Sequence, residues 1–142
     1  MKKVIVVRGI PGSGKTFWAK QWVSEDSESR VRINCDDIRN MLGKYWVLPR
    51  EPFVKTIKEN VIYHALDYGY DLVIDNMNLN PKEIDSIKKI LKKFPEYELE
   101  FKDFFDTPLE VCIERDSTRE HPIGKETITN IYNRYKKLYD FP

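Results

Sequence analysis

Short apolar runs alternate with helically spaced apolar positions along the whole chain. The runs Lys3–Val7, Arg30–Ile33, Asp71–Ile74 and Glu98–Phe105 read as strands. Between them, Trp18, Ala19, Trp22 and Val23 share one helical face, with both tryptophans expected in the core. Phe53, Val54, Ile57, Val61 and Ala65 trace a second helix running to about Asp67, and Ile84, Ile87, Ile90, Leu91 and Phe94 a third. Ile128, Ile131, Tyr132, Tyr135 and Leu138 mark the last. Asn80 as cap, Pro81 in the first turn and Glu83 three residues past the cap predict where the third helix begins. Thr107-Pro108-Leu109-Glu110 has the same form and predicts a helix towards Arg115. This alternation predicts one α/β domain over residues 1–142. Its central sheet should be mostly parallel, with four to five strands and helices on both faces. Ligands of such sheets bind beyond the carboxyl ends of the strands.

The first strand runs straight into Gly9-Ile10-Pro11-Gly12-Ser13-Gly14-Lys15-Thr16, a match to G-x-x-x-x-G-K-[ST]. A helical pattern follows, so the motif sits in the strand–loop–helix context its chemistry needs. Glycines let backbone N–H groups turn inward, and the helix start adds unsatisfied donors and the positive end of its dipole. Gly9, Pro11, Gly12, Ser13, Gly14, Lys15 and Thr16 are therefore the candidate triphosphate-binding residues. Lys15 would reach the β and γ phosphates and Thr16 would ligate Mg²⁺. A glycine turn that binds nothing is the plain alternative, and all four fixed positions in the right context weigh against it.

Charge and cysteine content narrow the partners. With 24 basic against 23 acidic residues the net charge is +1, so a polyanion must be held by local arginines and lysines. Cys35 and Cys112, far apart in the chain, suggest reduced thiols in a cytoplasmic setting. The apolar stretch after Met1-Lys2-Lys3 is too short for a signal peptide or a membrane span.

Three clusters fall at strand ends. Asn34-Cys35-Asp36-Asp37-Ile38-Arg39 pairs two carboxylates with an arginine one helical turn on. Asp36 is the candidate acid/base for an attacking hydroxyl, Arg39 the holder of an anionic acceptor group, and Asp37 an N-cap or first-turn residue. Asp75, closing an apolar strand before Asn76-Met77-Asn78-Leu79-Asn80, is the candidate carboxylate of the Mg²⁺ shell. Arg115 and Arg119, spaced i and i+4 ahead of His121-Pro122-Ile123-Gly124, would project together from a helix end as a lid over the transferring phosphoryl group. The lysines at 88, 89, 92 and 93 read as a solvated face, and His64 and His121 lack the companions of a zinc site. Lys44-Tyr45-Trp46-Val47-Leu48-Pro49-Arg50 interleaves aromatic and basic residues, either to stack a base and hold a phosphate or as a packed connector.

Taken together, the G-x-P-G-S-G-K-T loop followed by Trp18-Ala19, Ile33-Asn34-x-Asp36-Asp37-x-Arg39, Asp75-Asn76-x-Asn78-Leu79-Asn80-Pro81 and Arg115-x₃-Arg119 before Pro122-Ile123 resemble the kinase domain of bacteriophage-type 5′-hydroxyl polynucleotide kinases. The motifs run in the same order and cover nearly the whole chain. The resemblance implies a P-loop kinase domain with a helical lid that moves the γ-phosphoryl group of ATP, with Mg²⁺, to the 5′-OH end of DNA or RNA. It implies Asp36 on the acceptor hydroxyl, Arg39 on the acceptor phosphate, Lys15 and Thr16 on the donor and its metal, and Arg115 and Arg119 as lid groups. The phosphatase motif D-x-D-x-T found downstream in the phage prototype is absent, so no 3′-phosphatase activity is expected. Cys35 stands where the prototype has an arginine, and either Asp75 or Asn76 aligns with its strand-end aspartate. A separate ligase or phosphatase partner and a homo-oligomer are both compatible with the sequence, and no membrane partner is expected. A kinase of a small-molecule hydroxyl and a non-catalytic nucleotide-binding adaptor are the rival readings.

Overall fold

The computed structural model describes residues 1–142. Chain order is β1 (Lys2–Arg8), α1 (Lys15–Ser24), β2 (Arg30–Ile33), α2 (Cys35–Met41), a 3₁₀ turn (Leu48–Arg50), α3 (Glu51–Asp67), β3 (Asp71–Asp75), α4 (Pro81–Leu91), β4 (Tyr97–Asp103), α5 (Leu109–Ser117) and α6 (Lys125–Tyr139). The four strands form one wholly parallel sheet in the order β2-β3-β1-β4. β4 stops at Asp103, opposite Arg8, rather than at Phe105, because its neighbour β1 turns into the glycine loop there.

Because side chains alternate across a strand, the two sheet faces carry two cores. Val4, Val6, Leu72 and Ile74 pack with Ile38 of α2, Val54, Ile62, Ala65 and Leu66 of α3, and Ile84 and Ile87 of α4. Ile5, Val7 and Val73 meet Ala19 of α1 on the opposite face. A third cluster of Ile10, Leu79, Cys112, Ile128 and Phe141 lies past the strand ends and seats α5 and α6. No helix is long and apolar enough to cross a membrane.

Several side chains point elsewhere than their spacing predicts. On α3 the inward stripe is Val54, Lys58, Ile62, Ala65 and Leu66, while Phe53 and Val61 are exposed. The inward face of α6 takes in Tyr139 and leaves Leu138 outside. Trp18 and Trp22 are half-buried, stacked on each other with centroids 6.4 Å apart along the rim of α1. Thr107 does not cap α5: its hydroxyl donates to Ser13 O at 3.0 Å, tying β4's exit to the glycine loop, and the helix begins behind Pro108.

Candidate active site at the carboxyl ends of the strands

Four strand ends build one site. Out of β1 the chain makes a glycine loop whose geometry needs residues without side chains at two points. Gly12 has φ +82° and Gly14 φ +106°, a region L-residues avoid. A Cβ on Gly12 would also collide with the backbone carbonyl of Cys112, so α5 can rest directly on the loop. Gly14 then leads into α1. Ser13 and Lys15 are buried, Thr16 is exposed, and Lys15 Nζ donates to Ile10 O at 2.8 Å and Ser13 Oγ at 3.4 Å. Burial pulls the Lys15 ammonium down to about 8, opposed by the negative charges of Asp75 and Asp36.

The end of β2 passes through Asn34, whose Oδ1 accepts the Asp37 N–H at 2.9 Å and whose Nδ2 donates to Asp75 O at 2.6 Å. Asn34 rather than Asp37 is thus the cap of α2, and Asp37 is a first-turn residue paired with Arg32 at 2.6 Å. Asn76 Oδ1 accepts the Cys35 N–H at 2.9 Å. Asn78, in the left-handed region at φ 51° that asparagine tolerates, donates to Val7 O at 2.7 Å and Ile74 O at 3.0 Å. The asparagine run is therefore a bracket holding the ends of β1, β2 and β3 in register. Asp75 is almost fully buried: Oδ2 accepts from Arg32 Nε at 2.8 Å, and Oδ1 has no protein partner.

Asp36, half-buried, sits at the centre of a polar cluster. Its Oδ1 accepts from Arg39 Nη1 and from Tyr45 Oη, both at 2.8 Å, and its Oδ2 from Arg119 Nη2 at 3.0 Å. Arg39 is itself gripped by both oxygens of Glu51, at 3.0 and 2.7 Å, and lies 5.2 Å under the half-exposed ring of Trp46. That bidentate grip raises the guanidinium's affinity for its proton and leaves little of its fork for an incoming phosphate. Tyr45 is pushed up to about 12, first by burial and then by its bond to Asp36.

The two lid arginines do not project from one helix. Arg115 lies in the last turn of α5 and donates to Gly12 O at 3.2 Å, while Arg119 comes after the helix has ended at Ser117 and reaches Asp36. The segment between α5 and α6 is anchored by Asp116, which is buried and accepts the Ile123 and Gly124 N–H groups at 3.0 and 2.9 Å while pairing with Arg119. Glu51, Arg32 and Asp116 were not singled out as site residues by the sequence, and Tyr45 stood out only as part of the Lys44–Arg50 loop. Arg32 carried a faint signal, as one of two arginines alternating with apolar residues in a four-residue strand. Cys35 and Cys112 are free thiols raised by burial.

The residues present suit a triphosphate with its metal. The glycine loop and Lys15 would meet the phosphates, and the Thr16 hydroxyl and the unpaired Asp75 Oδ1 would offer oxygen donors of the kind Mg²⁺ takes when phosphates and water complete its shell.

A parallel sheet with a glycine loop opening a helix, a carboxylate ending the neighbouring strand and arginines above the loop define a P-loop kinase domain. More particularly, a family model described as AAA domain matches residues 4–142, and the chain belongs to that family. It is 28% identical over 158 residues to a protein of Autographa californica nuclear polyhedrosis virus named provisionally as a bifunctional polynucleotide kinase/RNA ligase. That match takes in 99% of this chain but 22% of the viral protein, so the chain spans about a fifth of that relative's length. It is 22% identical over 158 residues to an adenylate kinase of a Nitratiruptor species, covering 98% of this chain and 77% of that protein. A chain in the structure of the Pnkp1/Rnl/Hen1 RNA repair complex shares the fold, with TM-score 0.75 and 23% identity over 98% of this chain and 45% of that one.

Proposed function

We propose that this domain transfers the γ-phosphoryl group of ATP, with Mg²⁺, to the 5′-hydroxyl end of a DNA or RNA strand. The observation that carries the reading is Asp36. Donors from α2, from the loop after it and from the lid converge on this one carboxylate, and its charge is felt by Lys15 of the phosphate loop. A carboxylate so placed can orient a hydroxyl towards the γ-phosphorus. Because phosphoryl transfer passes through a loose transition state, Asp36 need accept the proton only late. Lys15, Arg115 and Arg119 would balance charge on the transferring group and the leaving phosphate, with Thr16 and Asp75 serving the metal. The stacked Arg39–Trp46 pair and its flanking Lys44 and Arg50 suit a polyanion carrying a base. The 5′-phosphate product is what strand-joining chemistry consumes, so a separate ligase is the partner class this reading asks for.

The test is incubation with γ-labelled ATP, Mg²⁺ and a short 5′-OH oligonucleotide, DNA or RNA, followed by analysis of the 5′ end. Label should appear there with the wild-type chain and vanish in Asp36→Ala and Lys15→Ala, with nucleotide binding lost only in the latter. Near-normal turnover in Asp36→Asn would sink the role given to Asp36. A kinase of a small-molecule hydroxyl is the second reading. It is favoured by one observation, the engagement of the Arg39 fork by Glu51 rather than by free space for an acceptor phosphate. Label transfer to a small alcohol but to neither oligonucleotide would select it.

A further inference from the structure

Of the three donors on Asp36, two are guanidinium groups and one is a hydroxyl. Arg39 and Arg119 carry charge and hold the carboxylate in place, whereas the Tyr45 phenol presents a neutral O–H to Oδ1 at 2.8 Å. An acceptor alcohol offers the same kind of neutral O–H to an oxygen of the same carboxylate. With Arg39 and Tyr45 both on it, Oδ1 has its two lone pairs filled. A hydroxyl arriving at that oxygen must replace one of them, and the phenol is the chemically equivalent group. The Tyr45 ring also lies flat on His121, with centroids 4.3 Å apart and planes 8° apart. His121 belongs to the segment between α5 and α6 that delivers Arg119 to Asp36, so the stack fastens the loop after α2 to the lid.

We propose that Tyr45 holds the acceptor-hydroxyl position on Asp36 and is displaced by the incoming alcohol, the Tyr45–His121 stack parting as the acceptor enters. In the absence of acceptor the phenol keeps water off Oδ1 of Asp36 and so restrains transfer of the γ-phosphoryl group to water. This inference rests on the reading above in one respect, that Asp36 receives the acceptor hydroxyl.

Two variants separate the parts. Tyr45→Phe keeps the ring on His121 and removes only the competing O–H. Its acceptor KM should fall about fivefold, the factor for loss of one competing neutral hydrogen bond. Its kcat should be retained and acceptor-free ATP hydrolysis should rise. His121→Ala breaks the stack instead, so amide hydrogen exchange across residues 118–124 should accelerate in His121→Ala and stay near the wild-type rate in Tyr45→Phe. A fall in kcat at unchanged KM, with acceptor-free hydrolysis no higher than wild type, would overturn the proposal and leave Tyr45 as a positioning residue. If wild-type protein labels no oligonucleotide yet acceptor-free hydrolysis rises in Tyr45→Phe, the displacement device stands and the polynucleotide reading falls. If oligonucleotides are labelled and hydrolysis does not rise, the device falls alone.

Discussion

Lys15 is the residue whose protonation the fold alters most consequentially. Held against Ile10 O and Ser13 Oγ and buried, its ammonium is brought down to about 8 from an ordinary 10.5. Between those two values the unfolded chain binds more proton than the folded one, so Lys15 makes stability rise with pH across that window. Polyphosphate in the loop would supply the anionic partner that burial lacks and raise the lysine again. Nucleotide binding at about pH 9 should therefore take up close to one proton, and at about pH 6.5 almost none from this group. Titration calorimetry in buffers of different ionisation enthalpy measures that uptake. Lys15→Arg should bind without it, because a guanidinium stays charged throughout. Equal uptake in wild type and Lys15→Arg would assign the proton to another group.

At the scale of elements, the segment joining α5 to α6 depends on a single buried carboxylate. Asp116 satisfies two backbone N–H groups and braces Arg119, so Asp116→Ala would leave Ile123 and Gly124 without their acceptor. Loss of such buried partners costs about 1–3 kcal/mol, read as a lowered denaturation midpoint. Phosphoryl transfer should fall with it, while nucleotide binding at the glycine loop, built on β1 and α1, should hold. Elements of this kind were legible in the sequence wherever a local rule governs them: the strand runs, the Asn80-Pro81 helix start and the glycine loop all formed as their residues dictate. Where a side chain had to choose between a local and a distant partner, the sequence misled. Thr107 gave up the capping position for Ser13, 94 residues away, and Arg119 left its helix register to meet Asp36, 83 residues away. On α3 the buried Lys58 counts as polar in a periodicity reading, so the stripe appeared rotated towards Phe53 and Val61.

Across the whole molecule, the sheet ends in two edge strands, β2 and β4, and the site runs across the carboxyl ends of β2, β3 and β1. Arg32 on β2, Asp75 on β3 and the loop after β1 sit side by side at the carboxyl end of the sheet, where the asparagine bracket ties all three strands. A ligand binding there engages groups that only the folded sheet brings together, so it should stabilise the entire domain rather than one loop. At nucleotide a hundredfold above its Kd, binding to the folded state alone adds about 2.7 kcal/mol. For a chain of this size that is a rise in Tm of about 5–11 °C. The rise should appear with Mg²⁺ and ATP in wild type and in Asp36→Ala, whose change lies on the acceptor side, and be lost in Lys15→Ala. Asp75→Asn should give a smaller rise with Mg²⁺ but little change without it, since a neutral amide keeps an acceptor oxygen while removing the charge that attracts the cation. Differential scanning calorimetry with and without the metal separates those contributions. A wild-type Tm indifferent to nucleotide would mean that the glycine loop, for all its geometry, holds no triphosphate.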